Sequence, residues 1–200
     1  MEFKYFIINE ADKKYGITVN AVGFQTFQPN EIYPTKEHPV DHCFNERLGR
    51  VLNEFQFIYI TKGHGELTIE STEKQTIQQG QLIVLFPGQW YAYRPQKEID
   101  WNEYYIGFNG DVVLKLVKNS FLTTKSQIMD VGLNEELVTL FKRAIEIAHK
   151  DKIGLQQHLS GIVMHMLGLI LYESNNNNNN RIALSKYKSL IENAKIIMPK

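Results

Sequence analysis

An apolar run bounded by turn residues is the clearest pattern in this chain. Residues 82–86 are apolar at every position; Gly80 lies just before the run, and Pro87 and Gly88 end it. A strand that is apolar on both faces is typical of a sheet covered on both sides. An aromatic strand follows at residues 101–108. Together these strands predict a rolled β-barrel whose interior can hold a small molecule.

The rest of the region between residues 50 and 110 also shows strand patterns. Residues 55–61 predict one strand, and residues 62–65, which include two glycines, predict the turn after it. Residues 66–70 alternate between polar and apolar positions and predict the next strand, which turns at residues 71–74. We therefore expect the middle of the chain to be a β-domain.

The N-terminal part has weaker patterns. Residues 1–30 show no clear period, and their aromatic side chains predict short strands or an arm packed on the barrel. Residues 32–39 contain two prolines, which fix φ and withhold backbone donors, so this stretch is predicted to be irregular. A sustained strand pattern begins only at residue 50.

The period changes to that of helices after the barrel region. Leu114 and Val117 fit a short helix, and Asn134 is a suitable N-cap for a longer one. Residues 137–148 then place apolar side chains at i, i+3, i+4 and i+7, the spacing of an amphipathic helix. Another helix with a broad apolar face is predicted from Gly154, so the two helices form an αα-hairpin.

Six consecutive asparagines at residues 175–180 interrupt the helical pattern. Asparagine is a poor helix former, and a run of it buries no apolar surface, so a flexible linker is predicted over residues 175–181. Residues 182–198 resume a helical pattern without a partner helix in the sequence. We expect these residues to begin another domain.

Composition and charge narrow the function classes. The chain has 200 residues, of which 43% are hydrophobic, enough for one main domain with a sizeable core. The 22 basic and 22 acidic residues cancel, so no overall field steers the chain toward nucleic acid or anionic lipid. The single cysteine, Cys43, excludes an internal disulfide and every multi-cysteine metal site.

Targeting signals are not recognisable in the sequence. The N-terminal residues lack the charged-then-apolar layout of a signal peptide. The longest apolar run, residues 162–172, is too short to span a bilayer. We therefore expect a cytoplasmic protein with no membrane partner.

Four segments carry a family resemblance through their order and spacing. They are Tyr33-Pro34 with His38-Pro39, residues 49–65 with their Gly-x-Gly turn, Phe86-Pro87-Gly88, and residues 101–110. In this order they resemble the effector-binding N-terminal domain of AraC-type transcriptional regulators, over about residues 30–172. The resemblance implies an α+β fold: a cupin-like β-barrel, of the double-stranded β-helix or jelly-roll type, followed by C-terminal α-helices that dimerise.

The resemblance also implies a domain organisation. Residues 1–110 would form an N-terminal arm and the cupin-like barrel, and residues 111–174 the helical dimerisation segment of the same domain. Beyond the asparagine-rich linker, residues 182–200 resemble the start of a helix-turn-helix DNA-binding domain, whose remainder is missing from this sequence. We expect a homodimer, and contact with DNA only through that missing C-terminal part.

A metal site is not expected. Metal-binding cupins use imidazole and carboxylate ligands from two motifs. At the corresponding positions this chain has Tyr91 in place of one histidine, Leu67 and Ile69 near the histidine pair, and Glu73 as the carboxylate. Tyrosine and aliphatic side chains do not ligate a divalent ion here, so no cofactor is expected. No histidine is placed in a recognisable catalytic set, and Cys43 has no activating partner, so no catalytic residue is assigned.

The candidate effector contacts come from the resemblance. The matching positions hold Tyr93, Glu103 and Tyr105, and Glu103 and Tyr105 are two apart, so they face the same side of one strand. Tyrosine rings stacked on a sugar, with a carboxylate that accepts from its hydroxyls, suit a carbohydrate. Arg50 is a further candidate for gripping a hydroxyl or carboxylate. The alternative is that the tyrosines fill the barrel and Glu103 meets solvent.

The helix predicted from Gly154 has a wider apolar face than one barrel wall requires. Its members are Leu155, Leu159, Ile162, Met166 and Ile170. A subunit interface is one interpretation of this face, and packing on the barrel is the other. A helix pair can do both, with one side buried on each.

These patterns lead to a hypothesis of function. The chain is the ligand-sensing and dimerisation domain of an AraC-type bacterial transcription regulator. A small effector binds in the barrel, and a sugar is the first candidate. On this hypothesis the chain is not an enzyme. The alternative is a metal-dependent cupin enzyme that acts on a small sugar or acid, and a third interpretation is a dimerisation module with a filled barrel.

Overall fold

The computed structural model describes residues 2–33, 49–70, 72–150 and 152–197, with side chains described as far as residue 179. Most of the predicted irregular stretch, residues 34–39, lies outside the described residues. Ser71, in the second predicted turn, also lies outside them. Over the described ranges the chain forms ten strands and four helices.

The strands occupy most of the first two thirds of the chain. They are β1 (Glu2–Tyr5), β2 (Thr18–Phe27), β3 (Arg50–Val51), β4 (Phe55–Lys62), β5 (His64–Ile69), β6 (Gln75–Gln78), β7 (Gln81–Leu85), β8 (Trp90–Pro95), β9 (Trp101–Asn109) and β10 (Ile128–Asp130). The helices are α1 (Glu10–Lys13), α2 (Asp111–Lys118), α3 (Glu135–Ala148) and α4 (Leu155–Ile197).

The strands form two antiparallel sheets. The larger sheet has the order β1-β2-β9-β4-β7-β10, and the smaller has the order β3-β8-β5-β6. Apolar side chains from both sheets meet in one core cluster, which fills the space between them. The predicted α+β architecture, an antiparallel barrel followed by helices, is confirmed.

The larger sheet is covered on both faces, as its apolar strands predict. In β4, Ile58 and Ile60 join the core between the two sheets, whereas Phe57 and Tyr59 join the core beneath the helices. Because successive side chains of a strand point to opposite faces, one strand serves both cores. The same alternation in β7 accounts for the uninterrupted apolar run at residues 82–86.

Helix α3 covers the outer face of the larger sheet. The Asn134 side chain accepts a hydrogen bond of 2.9 Å from the backbone N–H of Leu137, which confirms the predicted N-cap. Phe141 is fully buried, and its ring stacks on those of Tyr59 and Tyr104 at centroid distances of 6.2 and 5.5 Å. These contacts fix the helix against β4 and β9.

Helix α4 is fastened at its first turns to strand β2. The Gln156 side chain accepts from the backbone N–H of Val19 at 2.9 Å and donates to its carbonyl at 3.0 Å. Ser160 donates to the carbonyl of Ile17 at 2.7 Å. The register of β2 on β9 shifts between Val19 and Ala21. At this shift, an amide side chain of the helix pairs with the strand backbone.

Strand β2 departs from the weak pattern expected at residues 1–30. It has 10 residues and pairs with β9 along its length, near the middle of the larger sheet. The register shift between Val19 and Ala21 changes which side chains face inward. A bulge of this kind breaks the two-residue alternation that identifies a strand in sequence.

The asparagine run is helical, which corrects the prediction of a flexible linker at residues 175–181. The helix α4 continues through residues 175–180 without interruption. Propagation of an existing helix fixes fewer dihedrals per bond than nucleation does, so poor helix formers are tolerated after a packed segment. Asn177 also donates from Nδ2 to the carbonyl of Asp130 at 2.9 Å, which holds the run against β10.

The residues assigned to a dimer interface lie in the chain's own core. Leu159, Ile162, Met166 and Ile170 are buried in the cluster beneath the helices, and Leu155 packs against that cluster. The outer face of the larger sheet and helix α3 together cover this apolar stripe, so it is not available to a second subunit. Packing on the barrel is the interpretation that the structure supports for these five residues.

Across the described ranges, no helix combines the length and the apolar character that crossing a membrane requires.

Candidate functional site

A group of polar side chains lies in the otherwise apolar core between the two sheets. Arg50 comes from β3, Tyr91 and Tyr93 come from β8, and Glu103 comes from β9. Gln56 joins them from β4 and is buried. Because β3 and β8 belong to the smaller sheet and β4 and β9 to the larger, the group spans the interior of the barrel.

Glu103 is the most deeply buried carboxyl of this group, with 0% of its surface exposed. Its Oε2 accepts from Nε1 of Trp101 at 2.8 Å, and its Oε1 accepts from the hydroxyl of Tyr93 at 3.1 Å. Burial raises the pKa of Glu103 to about 7, although these two bonds and the charge of Arg50 act in the opposite direction.

Arg50 begins a chain of hydrogen bonds across the interior. Its Nε donates to the hydroxyl of Tyr91 at 2.5 Å, and that hydroxyl donates to Oε1 of Gln56 at 3.1 Å. Nε2 of Gln56 then donates to Oε1 of Glu54 at 2.8 Å. The guanidinium carbon also lies 5.2 Å from the centroid of the Tyr91 ring, within cation–π range.

A second buried carboxyl, Glu54, ends this chain. Burial raises its pKa, while hydrogen bonds from Gln56 and Asn20 and the charge of Arg50 act in the opposite direction. A Cβ placed on Gly107 would lie 2.2 Å from Oε1 of Glu54. The carboxyl therefore occupies the space that a side chain at residue 107 would need, which explains the glycine in this strand.

Aromatic rings line one side of the group. The rings of Tyr91 and Tyr93 are nearly parallel at 6.4 Å, and the ring of Tyr33 lies 5.9 Å from that of Tyr93. Phe27 contacts Tyr33 edge to face at 4.9 Å. Flat rings beside hydroxyl, carboxyl and guanidinium groups provide both stacking and hydrogen bonds for a small polar molecule.

Tyr105 faces the same interior but lies toward the N-terminal strands. Its side chain interacts with those of Tyr5 of β1 and Gln25 of β2, and burial raises its pKa. A Cβ placed on Gly23 would lie 2.6 Å from its hydroxyl. Tyr105 therefore fills the region next to β1 and β2, one step along β9 from Glu103.

The structure brings three of the four candidate residues together. Tyr93 contacts Glu103 directly, and Arg50 is linked to this pair through Tyr91 and through its charge. Tyr105 lies further along the strand. The alternative in which Glu103 meets solvent is wrong, because its side chain is buried.

Sequence reasoning missed several members of the group. Tyr91 and Trp101 each lie two residues before a candidate, so strand alternation places them on the same face as Tyr93 and Glu103. Strand alternation could therefore have identified both residues from the sequence. Gln56 and Glu54 carried no such signal, because the strand pattern that contains them is almost wholly apolar.

The positions that would hold a metal in a metal-binding cupin do not fit one. Leu67 and Ile69 are buried and pair with Tyr93 and Tyr91 across β5 and β8, so these positions offer no imidazole or carboxylate. Glu73 is exposed in the turn before β6. Within the described ranges, no cluster of three or more His, Cys, Asp or Glu residues has the spacing to bind an ion.

A cavity of about 370 Å³ opens at one end of the barrel, beside this group. Phe27 and Tyr33 form part of its lining, together with Pro95 at the end of β8 and Ile99 from the segment after it. Tyr33 also contacts Tyr93, so its ring separates the cavity from the buried carboxyl. The cavity therefore borders the buried polar group through the ring of Tyr33.

Comparisons with solved structures found distant likenesses. ToxT from Vibrio cholerae is 10% identical with a TM-score of 0.44, over 80% of this chain and 58% of that one. YhaK from Escherichia coli is 11% identical with a TM-score of 0.41, over 66% and 50%. An RmlC-like cupin protein from Methanocaldococcus jannaschii, which has a double-stranded β-helix fold, is 12% identical with a TM-score of 0.34, over 56% and 94%.

The chain thus spans 58% of ToxT and 50% of YhaK. A search of the curated proteins found no match. A family model, the AraC-like ligand binding domain, matches residues 31–167, which is more than half of the chain. The matched range contains every polar side chain described above from Arg50 to Tyr105. This protein belongs to the family of AraC-like ligand binding domains.

Proposed function

We propose that this chain senses a small polar effector, of the carbohydrate class, that binds inside the barrel to Arg50, Tyr93 and Glu103. Tyr105 borders the same space. The observation that carries the proposal is the meeting of a buried carboxyl and a guanidinium among tyrosine rings, in the core of a domain that belongs to a ligand-binding family.

The chemistry of these groups suits a polyhydroxylated molecule. Glu103 accepts hydrogen bonds, Arg50 donates them, and the tyrosine hydroxyls do both. The rings of Tyr91 and Tyr93 offer flat apolar surfaces for the C–H face of a sugar ring. These groups bond to one another in the structure, so an effector would exchange those bonds for its own.

The regulatory output is assigned to other parts of the molecule. Contact with DNA belongs, in this proposal, to a C-terminal helix-turn-helix domain beyond the barrel, to which helix α4 leads. An effector changes that output only if it binds two arrangements of the barrel and helices with unequal affinity. No part of this mechanism requires catalysis.

A binding experiment with the 200-residue chain tests the site. Trp101 donates to Glu103 and is fully buried, so its fluorescence reports on the interior once Trp90 is replaced by phenylalanine. Titration with a panel of neutral sugars is expected to change that signal at one stoichiometric site. The double variant Tyr93→Phe, Glu103→Gln is expected to bind at least about tenfold more weakly, because each lost charged or hydroxyl contact is worth about 1 kcal/mol or more.

Glu66→Gln is the matched control, because Glu66 is an exposed carboxyl on the outer side of β5, paired with Lys74 and Arg94. Its affinity for the sugar is expected to equal that of the unmodified chain. Undiminished binding by the double variant would place the effector outside this group.

We also propose that the chain forms a homodimer through the exposed side of α4. This side carries Met164 and Tyr172, which are 45% and 65% exposed. Gly161 and Gly168 lie on it one heptad apart, and a Cβ on either would meet no described atom within 4 Å. A second copy of the helix is the occupant that fits, because the two exposed apolar side chains and the two glycines lie on one side of the helix.

Sedimentation measures this assembly directly. The unmodified chain is expected to sediment as a dimer at micromolar concentration, and Met164→Glu as a monomer, because two buried carboxylates would face each other across a symmetric contact. Lys142→Glu, an exposed change on α3, is the control and is expected to remain dimeric. A monomeric unmodified chain would contradict the proposal.

A further inference from the structure

We propose that the effector carries a basic amine, which pairs with Glu103, and that acidic effectors are excluded from the barrel. This inference rests on the proposed function, because it takes the interior group as the effector site. It adds the charge of the ligand, which neither the family nor the neutral-sugar proposal specifies.

Within the described residues, the interior group contains two carboxyls and one guanidinium. Among the described residues around Glu103, the charged groups are Arg50 and Glu54, and the remaining titratable groups are the tyrosines at positions 33, 91, 93 and 105. The strands paired with β9 at Glu103 present Gln25 and Ile60, neither of which carries charge. With both carboxyls ionised and Arg50 protonated, one negative charge is left over.

Glu103 has no charged partner in hydrogen-bond contact, and it is the carboxyl that lies against the tyrosine rings. Its two bonds come from Trp101 and Tyr93, which are neutral donors, and each oxygen accepts one of them. A carboxylate oxygen can accept more than one bond. The Nε of Arg50 is directed at the hydroxyl of Tyr91 instead. A buried carboxylate with neutral donors alone carries a desolvation cost that an ammonium group in contact with it offsets.

The same arrangement acts against acids. A carboxylate ligand would bring a third negative charge next to Glu54 and Glu103, with Arg50 as the single described cation in the group. Like charges in a buried site repel strongly and force protonation of one of them. A ligand with hydroxyl groups alone is neutral, and its affinity is expected to be intermediate. The expected order of affinity is therefore amine, then hydroxyl, then acid.

Matched sugars separate these classes. We would titrate the 200-residue chain by calorimetry with glucosamine, glucose and glucuronate, and with the three corresponding galactose derivatives. In whichever series binds better, glucose or galactose, the amino sugar is expected to bind at least about tenfold more tightly than the neutral sugar, a difference of about 1.4 kcal/mol. The acid is expected to bind at least about tenfold more weakly than the neutral sugar. In Glu103→Gln the preference for the amine is expected to fall below about threefold, while Glu66→Gln keeps it.

The pH dependence of binding provides a second test, which needs no variant. Because burial raises the pKa of Glu103 to about 7, protons compete with the amine below neutrality. Affinity for the amino sugar is expected to fall on the order of 20-fold from pH 7.5 to pH 5.5, and affinity for the neutral sugar much less. This comparison is made on the unmodified chain, so it remains decisive even where Glu103→Gln does not fold.

The outcomes distinguish the two proposals. Tightest binding of the amine, lost in Glu103→Gln or on acidification, supports the inference. Binding of the neutral or acidic sugars at equal or higher affinity overturns the amine assignment and leaves the barrel as a receptor. If no sugar of the glucose or galactose series binds, both the amine assignment and the proposed effector site are overturned.

Discussion

Replacing Phe141 with alanine is expected to lower the free energy of unfolding by about 3 to 5 kcal/mol, the usual cost of deleting a buried aromatic ring. Phe141 is fully buried and stacks on Tyr59 and Tyr104, which belong to different strands of the larger sheet. Both tyrosines belong to paired strands, so the sheet holds them in place beside the ring. Urea denaturation followed by circular dichroism measures the loss.

Lys142→Ala is the matched control for this experiment. Lys142 is the next residue on α3 and is exposed, so its removal is expected to change the free energy of unfolding by no more than about 0.5 kcal/mol. A loss below about 1.5 kcal/mol for Phe141→Ala would show that α3 is not held on the sheet by this ring.

Glu103→Gln is expected to remove a pH dependence of stability on the order of 3 kcal/mol. Burial raises the pKa of Glu103 from the usual 4.5 to about 7, and each pKa unit corresponds to about 1.36 kcal/mol. Because the folded chain holds this proton more tightly than the unfolded chain does, the folded chain binds more protons between pH 4.5 and pH 7. Stability due to Glu103 is therefore full below pH 4.5 and is lost as pH rises toward 7.

The measurement is the free energy of unfolding at several pH values for both chains. Other groups titrate in both, so the difference between the two curves isolates Glu103. That difference is expected to shift in favour of the glutamine variant as pH rises from 4.5 to 7.5, and Glu66→Gln is expected to show no such shift. Parallel curves would mean that Glu103 is solvated in the folded chain.

Strand and helix positions could be predicted from the sequence where one period is long and unbroken. Residues 82–86 and 137–148 are examples, because burial on both sides of the sheet and on one side of a helix leaves distinct spacings. Strand β2 could not be recognised, because the register shift after Val19 changes its phase. The backbone of Val19 at this shift is hydrogen-bonded by the side chain of Gln156, which is far away in sequence. A local pattern does not reveal such a contact.

The candidate site was predictable only in part. Glu103 and Tyr93 were named through family resemblance, and strand alternation then leads to Trp101 and Tyr91. The sequence did not predict that the interior groups bond to one another, because two of those bonds, Tyr93–Glu103 and Tyr91–Gln56, join strands from different sheets. The apolar stripe predicted as a subunit interface is buried within the chain's own core, and the sequence could not distinguish the two, since an apolar stripe has the same appearance whether it faces a barrel or another subunit.

The helical asparagine run has a mechanical consequence. Helix α4 is one rod of 43 residues, which at 1.5 Å per residue measures roughly 64 Å. Gln156 and Ser160 clamp its near end to β2, a strand that also borders the barrel lumen. Asn177 holds the helix to β10 about halfway along, so about 20 residues extend past this contact, a length of roughly 30 Å. A tilt of about 5° would displace the end of the helix by roughly 3 Å relative to Asn177. The extension is therefore a lever arm, which would amplify a small adjustment of the sheet at its far end.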